Sequence, residues 1–252
     1  MENKNYFKEY MIAGKKYKLH LFDKINTKEE AYLIGYMLGD GGFQRGTYKR
    51  KHRMFICSSD EYIIEYFKKK FQPKNSINRH IPVNEQRPEI KSTRHSSRMT
   101  FSSKFTPTFK KFGILGLKED RTYHNIPKKY MRHFLLGLID ADGFITWGKR
   151  KDRDRLWTTF GITHPSLKML EKLQRFLLEE LEIPTSINPK GKENCYVLRT
   201  GSLRMVERII DYIYEDKPEM YIKRKYKNCI DFKNEFKNYK FDKEKSIRQT
   251  KI

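Results

Sequence analysis

One segment of this chain occurs twice. Residues 31–43 read AYLIGYMLGDGGF and residues 134–144 read FLLGLIDADGF. Aligning Asp40 with Asp142 places Leu33 on Leu135, Gly35 on Gly137 and Gly41 on Gly143, at an offset of 102 residues. The text after each copy repeats as well. A hairpin-like stretch comes first (42–58 and 144–163), then an amphipathic helix. In the first copy that helix runs over 60–71 with Ile63, Ile64 and Phe67 on one stripe; in the second it opens at His164-Pro165-Ser166 and continues through Leu167, Leu170, Leu173 and Leu177. A strand carrying Ser-Ile-Asn follows in both (76–78 and 186–188), then a second strand (99–102 and 195–200) and a closing helix (105–112 and 203–214). Two copies are too few for a solenoid, so the pattern predicts an α+β fold of two pseudosymmetric αββαββα subdomains with antiparallel sheets. The expected boundaries are an N-terminal extension over 1–28, a first subdomain over 29–116, a linker over 117–126 and a second subdomain over 127–222. A basic C-terminal helix and tail fill 223–252. Phe232, Phe236 and Tyr239 recur at helical spacing, so that helix should end before Asp242, with a frayed tail beyond Lys243.

Both copies carry small residues four apart, Gly35 with Gly39 and Gly137 with Ala141, which a helix puts on one face. Small residues there let two helices meet at backbone contact. The surrounding Leu33, Ile34, Met37, Leu136, Leu138 and Ile139 leave such helices buried on most sides. If the two helices pair, Asp40 and Asp142 come together at their C-terminal ends. Adjacent carboxylates repel unless a cation sits between them, and hard oxygen ligands suit Mg²⁺ or Mn²⁺. A carboxylate at a helix C-terminus also faces the negative end of the dipole. The competing reading makes both aspartates ordinary helix ends ahead of glycine caps. An unfavourable choice repeated at equivalent sites favours function.

The chain has 54 Lys+Arg against 31 Asp+Glu, a formal net charge of +23. Nineteen of those 23 excess charges lie in residues 44–59, 74–111 and 223–252. Aromatics make up 14%, so the chain should fold despite its charge. The excess points to a polyanionic partner and a salt-sensitive affinity. No apolar run approaches the ~18 residues of a membrane span, and the N-terminus has no signal core. Cys57, Cys195 and Cys229 are widely spaced with no C-x-x-C pair, which argues for reduced thiols rather than a disulfide framework or a zinc site. A soluble protein of the cytoplasm of a bacterial or phage-infected cell, or of an organelle matrix, is expected.

The stretch 135–143, LLGLIDADG, resembles the signature of the LAGLIDADG homing endonucleases, departing at one of nine letters. Residues 33–41, LIGYMLGDG, look like a more diverged copy. The resemblance spans about 200 residues and is to the two-motif, monomeric members, which act on asymmetric DNA sites. It implies subdomains packed through their LAGLIDADG helices, each sheet forming a saddle over the major groove of double-stranded DNA. It implies that Asp40 and Asp142 bind divalent metal, assisted by the carbonyls of Gly39 and Ala141. Metal-activated water would then attack each scissile phosphate and give a staggered cut. Leu38 stands where the second copy has Asp140. Since the metal role belongs to the later acid, Asp140 reads as a solvated or capping residue. The resemblance also implies basic groups near the metal; Lys118, His124 and Lys223 are the candidates for that catalytic role.

Alternation along strands predicts the DNA-facing side chains. In the second copy Leu156, Phe160 and Ile162 suit the core, while Arg155, Trp157 and Thr159 fall on the other parity with Arg153 in phase. In the first copy, where apolar residues occupy both parities, Gln44, Tyr48 and Arg50 beside Arg53 form the outward set. Arg and Gln read guanine and adenine by bidentate contacts, whereas Lys49, Lys51 and Lys149 suit phosphates. The connection over 79–98, with Arg79, Arg87, Lys91, Arg94 and Arg98, is either an extended hairpin along the groove or an arm that orders on binding. Pro82 and Pro88 argue against a regular central strand there. Two alternatives compete with a DNA endonuclease: an intron RNA maturase on the same scaffold, and a transcription regulator that has lost catalysis. The regulator would be expected to lack one acid, and both are present.

Overall fold

A computed structural model describes residues 7–12, 14–44, 53–80, 96–150, 155–191 and 194–249. It divides into two compact units, Met1–Ala141 and Asp142–Ile252.

The first unit opens with an antiparallel hairpin, β1 (Lys8–Ile12) and β2 (Lys15–Leu19), turned at Gly14 with φ of 74°. This segment, expected only as an extension, feeds the core: Leu19, Phe22 and Ile25 are buried. The helix α1 (Lys28–Asp40) then starts at Thr27, whose hydroxyl accepts from the Glu30 N–H while Glu30 accepts from Thr27 N–H in return. Glu30 is itself buried and bonded to His20 at 2.7 Å. Next come β3 (Gly41–Gln44), β4 (Arg53–Ser58), α2 (Glu61–Phe71), β5 (Asn78–His80) and β6 (Ser96–Thr100). A 3₁₀ turn leads into α3 (Thr106–Lys111). The sheet order is β3-β4-β6-β5, antiparallel throughout. The predicted stripe of α2 is buried, Ile63, Ile64 and Phe67 joined by Phe71, and packs against the sheet face bearing Met54, Ile56 and Met99. Two 3₁₀ turns carry the chain to α4 (Met131–Asp142), which lies with this unit up to Ala141 because it packs on α1.

The second unit repeats the plan with β7 (Gly143–Arg150), β8 (Arg155–His164), α5 (Leu167–Leu181), β9 (Ser186–Pro189), β10 (Tyr196–Thr200) and α6 (Leu203–Tyr214). Its order, β7-β8-β10-β9, matches the first sheet position for position. Leu156, Phe160, Ile162 and Leu198 are buried, with Leu170, Leu173 and Leu177 of α5 and Ile209, Ile210 and Ile213 of α6 completing the core. The last helix, α7 (Lys223–Gln249), packs Phe232 against Trp147 of β7, their ring centroids 6.4 Å apart. It continues through Gln249 rather than ending before Asp242, since nothing in that lysine- and glutamate-rich stretch breaks a helix. Element order and sheet topology follow the sequence reading. The registers shift by two or three residues: β5 starts at Asn78 rather than Ser76, and β6 spans Ser96–Thr100 rather than 99–102. No helix among the described residues is long and apolar enough to cross a membrane.

Candidate functional site

The duplicated helices meet at backbone contact. A Cβ on Gly35 would lie 1.9 Å from the Phe134 carbonyl oxygen, and one on Gly137 would lie 2.2 Å from the Tyr32 carbonyl oxygen. Tyr32 and Phe134 occupy equivalent places in the two copies, so each helix offers its glycine to the carbonyl of the other's aromatic residue. The seam is fully buried, with Leu33, Ile34, Tyr36, Leu135, Leu136 and Leu138 at 1% exposure or less.

That seam also corrects the reading of Asp140. It is neither solvated nor a cap: it is 1% exposed and accepts from the Tyr32 hydroxyl at 2.8 Å. The equivalent places on the other side hold Phe134 and Leu38, both fully buried. One flank of the helix pair is thus polar and its mate apolar, which explains why Leu38 stands where Asp140 does.

Asp40 and Asp142 each end a helix and are each partly exposed. The glycine after Asp40 is not a left-handed cap. Gly41 has φ of −71° and ψ of 130°, so α1 runs directly into β3. Space demands glycine there, because a Cβ would lie 2.2 Å from the Met37 carbonyl oxygen. The negative end of α1 is offset by a residue the sequence reading missed. Arg121, 2% exposed, donates through Nη1 to the carbonyl of Gly41 at 2.7 Å and toward that of Met37 at 3.4 Å, while Nε and Nη2 bond Gly116 O. In the second unit Lys225 donates to the carbonyl of Gly143, also at 2.7 Å. Gly41 and Gly143 are equivalent in the repeat. Each aspartate is therefore followed by a carbonyl that holds a cationic side chain.

Electrostatics place Asp40 near two other groups. Burial pushes the Tyr36 hydroxyl well above its ordinary range; Asp40, Asp140 and Asp60 raise it further, against a hydrogen bond with Ser58. Tyr36 therefore stays neutral and serves the core rather than proton transfer. Burial also pushes the Cys57 thiol up, with Arg98 opposing and Asp40 reinforcing the shift. As oxygen donors, Asp40, Asp142 and the Gly39 and Ala141 carbonyls suit a hard cation. No group of three or more His, Cys, Asp or Glu that could hold a metal occurs among the described residues. Oxygen donors of this kind suit Mg²⁺, which keeps several waters and takes phosphate oxygens.

Of the expected basic groups, Lys118 is in a 3₁₀ turn and its carbonyl accepts from the Arg121 N–H. His124 is exposed, its ring against Gly113, and Lys223 is the exposed first residue of α7. Arg121 and Lys225, near neighbours of these candidates in sequence, bond the carbonyls that follow the aspartates.

The outer sheet faces bear most of the expected contact residues that lie among those described. Gln44 and Arg53 are cross-strand partners and exposed. Phe55, Cys57, Asn78 and Arg98 complete the first outer face, the Arg98 Cζ lying 3.5 Å from the Phe55 ring centroid. In the second sheet Arg155 and Trp157 are exposed, the latter at 41%, and Thr159 half-buried on the same parity. Arg150 and Arg199, not expected, share that face. Lys149 does not. It shares the parity of Trp147 and pairs with Glu235 of α7 at 2.5 Å, because alternation from Ile145 turns it toward the helices. Arg79 likewise turns inward to an ion pair with Glu61. Tyr48, Arg50, Arg94 and Arg153 lie outside the described residues.

Residues 129–214 match the family model described as a LAGLIDADG-like domain. That is the second copy, the one nearer the signature. Three solved structures are similar across nearly the whole chain. They are the LAGLIDADG meganuclease I-AabMI bound to uncleaved DNA (17% identity, 84% of this chain and 92% of that one, TM-score 0.57), the LAGLIDADG homing endonuclease I-GzeII in complex with its DNA target (13%, 85% and 91%, 0.56), and I-SmaMI bound to an uncleaved DNA target in the presence of calcium ions (17%, 84% and 90%, 0.56). No curated protein sequence matches. The chain thus contains a LAGLIDADG-like domain over residues 129–214 and has the fold of the LAGLIDADG homing endonucleases.

Proposed function

We propose that this protein is a monomeric, site-specific endonuclease that hydrolyses both strands of a long, asymmetric duplex DNA site with Mg²⁺ or Mn²⁺. The observation that carries the reading is the duplicated helix. Two copies of one motif pack through Gly35 and Gly137, each ends in an aspartate, and each aspartate is followed directly by the first strand of a four-stranded sheet. A domain that only bound DNA would have no need of a carboxylate facing a polyanion at each equivalent place.

The roles divide as follows. Asp40 with the Gly39 carbonyl, and Asp142 with the Ala141 carbonyl, hold a divalent cation for each strand. The cation, when bound, stabilises charge developing on the phosphoryl oxygens and makes water a better nucleophile at neutral pH. Arg121 and Lys225 hold the backbone next to the aspartates and keep positive charge where a phosphate arrives. Outer-face Gln, Arg, Trp and Thr side chains position the duplex.

The test is Mg²⁺-dependent cleavage of a randomised duplex library, followed by sequencing of the ends. Asp40→Asn and Asp142→Asn should each reduce double-strand cleavage by at least about 10³-fold while leaving DNA affinity within about threefold, since the lost interaction acts in the transition state. Wild-type cleavage by either variant would remove the assignment.

A further inference from the structure

The two sheets are built alike, but the arginines of β6 and β10 are not at equivalent places. Gly41 pairs with Ile56, and Ile56 with Met99, which gives an inward-facing row. The outward row on the aspartate side runs Cys57, Arg98, Asn78, and Asp40 stands at its head. In the second sheet Gly143 pairs with Ile162, and Ile162 with Leu198. The equivalent outward row runs Thr163, Val197, Asn188, headed by Asp142. Both rows end in asparagine, yet Arg98 is replaced by Val197, which has no donor and is 9% exposed. The arginine of β10 is one outward row further on, where Arg199 pairs with Gly161 and Ser186. Its first-sheet equivalent, opposite Phe55, is Thr100.

Arg98 has an aromatic floor. Phe55 lies over Gly42, where a Cβ would come within 2.0 Å of the ring, and the Arg98 guanidinium stacks on that ring. In the second sheet the glycine and phenylalanine have exchanged strands. Phe144 of β7 lies over Gly161 of β8, within 2.5 Å of where a Cβ would be, and Gly161 is the residue Arg199 faces. A guanidinium held flat on a ring presents a fixed fork, the geometry that meets O6 and N7 of guanine.

We propose that Arg98 and Arg199 are the guanine-reading residues of the two half-sites, and that their non-equivalent rows place the guanine read by the first sheet nearer the cut than that read by the second. Successive outward rows are about 6.8 Å apart along a strand, so the offset is about two base pairs at a rise of about 3.4 Å each. The inference rests on the DNA endonuclease reading above and adds to it an asymmetry of the target.

The experiment selects bound duplexes from a randomised library in metal-free buffer with chelator, using the full chain. Arg98→Met keeps the stem over the Phe55 ring and removes the fork, Arg199→Met removes the second fork, and Arg98→Lys keeps the charge. Thermal unfolding of each variant checks that it is folded. The expected result is that wild type selects one guanine per half-site at unequal distances from the centre. Arg98→Met and Arg98→Lys then lose about 10- to 100-fold of preference at the inner guanine only, and Arg199→Met loses it at the outer one only. A uniform drop in affinity with unchanged preferences would make both residues phosphate contacts and overturn the proposal. So would guanines equidistant from the centre. Selection of no sequence by wild-type protein would instead overturn the endonuclease reading on which the proposal stands.

Discussion

Replacing Gly35 by alanine tests the helix seam directly. In an isolated helix the change would be favourable by about 1 kcal/mol. Here the new methyl would sit 1.9 Å from the Phe134 carbonyl oxygen and 3.0 Å from the Leu138 nitrogen, against 3.4 Å for ordinary contact, so α1 and α4 must part by about 1.5 Å. Backbone atoms are the obstacle, and no side-chain rotation can relieve it. A gap of 0.5–1 Å already forfeits about a quarter to a half of each dispersion well. The seam side chains that would lose contact, including Tyr36, Phe134 and Leu138, are 1% exposed or less. Overpacking of this kind costs at or above the top of the usual range of about 1–3 kcal/mol. Less the propensity gain, the net destabilisation should be about 3 kcal/mol, a fall in Tm of about 6–12 °C for a chain of this size. Urea unfolding gives the first figure and calorimetry the second. Gly201→Ala is the matched control: its Cβ would meet only Thr158 O at 3.4 Å, so it should stay within about 0.5 kcal/mol. Once the helices have parted for Gly35→Ala, adding Gly137→Ala should cost less than it does alone. A neutral or stabilised Gly35→Ala, or strict additivity of the pair, would refute backbone contact at this seam.

Three further outcomes concern these helices and the carbonyls at their ends. Arg121→Met removes a buried cation holding the Gly41, Met37 and Gly116 carbonyls, and should cost about 2–3 kcal/mol in urea unfolding. Lys225→Met should cost about 1.5 kcal/mol or less, yet slow one strand's cleavage by about 10- to 100-fold, seen as accumulation of nicked plasmid; equal slowing of both strands would count against separate sites. Tyr32→Phe withdraws the donor to buried Asp140 and should cost about 1–3 kcal/mol. Adding Asp140→Leu reproduces the apolar pairing of Phe134 with Leu38 and should recover most of that loss; a double variant no better than Tyr32→Phe would show that the two flanks are not interchangeable.

The sequence disclosed those parts of the fold that repeat. Strand alternation in 155–162 and the stripes of α2 and α5 match the observed burial because one face of each element meets a core and the other does not. The Gly-xxx-small spacing likewise announced the helix pair. Three features were missed for physical reasons. Lys149 follows the inward parity of Ile145, but α7 had to be placed before its partner Glu235 could be known. Arg121 stood among several charges in a connecting segment, and only the third dimension brings it to the Gly41 carbonyl. Asp140 looked like a surface acid at the end of an apolar run, and the hydroxyl that accommodates it lies 108 residues away. The missed residues are all polar groups whose partners are distant in sequence. A cue did exist for Arg121 and Lys225: a helix ending in a carboxylate needs a nearby cation to offset the dipole, and each copy has to find its own.

The pattern of what the two copies share and what they do not follows from the constraints on each face. At the seam, Gly35 and Gly137 each meet the other helix's backbone, so a change in either is resisted by both halves, and the two glycines persist. The flanks of the same seam are bound only as pairs. Tyr32 can keep its hydroxyl while Asp140 remains, and Phe134 suits Leu38, so the copies could diverge two residues at a time. That divergence has a consequence for assembly. If α1 packed against a second α1, it would set Tyr32 against Leu38 and bury a hydroxyl without its carboxylate; α4 against a second α4 would set Asp140 against Phe134 and bury a carboxylate without a hydroxyl donor. Either mismatch costs more than the pairing observed. The Tyr32–Asp140 bond therefore favours α1 with α4 over either helix with its own kind. The outer faces carry no such mutual constraint. On the DNA reading proposed above, a residue there answers to its own base pair, and the exchange of Gly42–Phe55 for Phe144–Gly161, with the arginine moved by one row, is the freedom an asymmetric target would need.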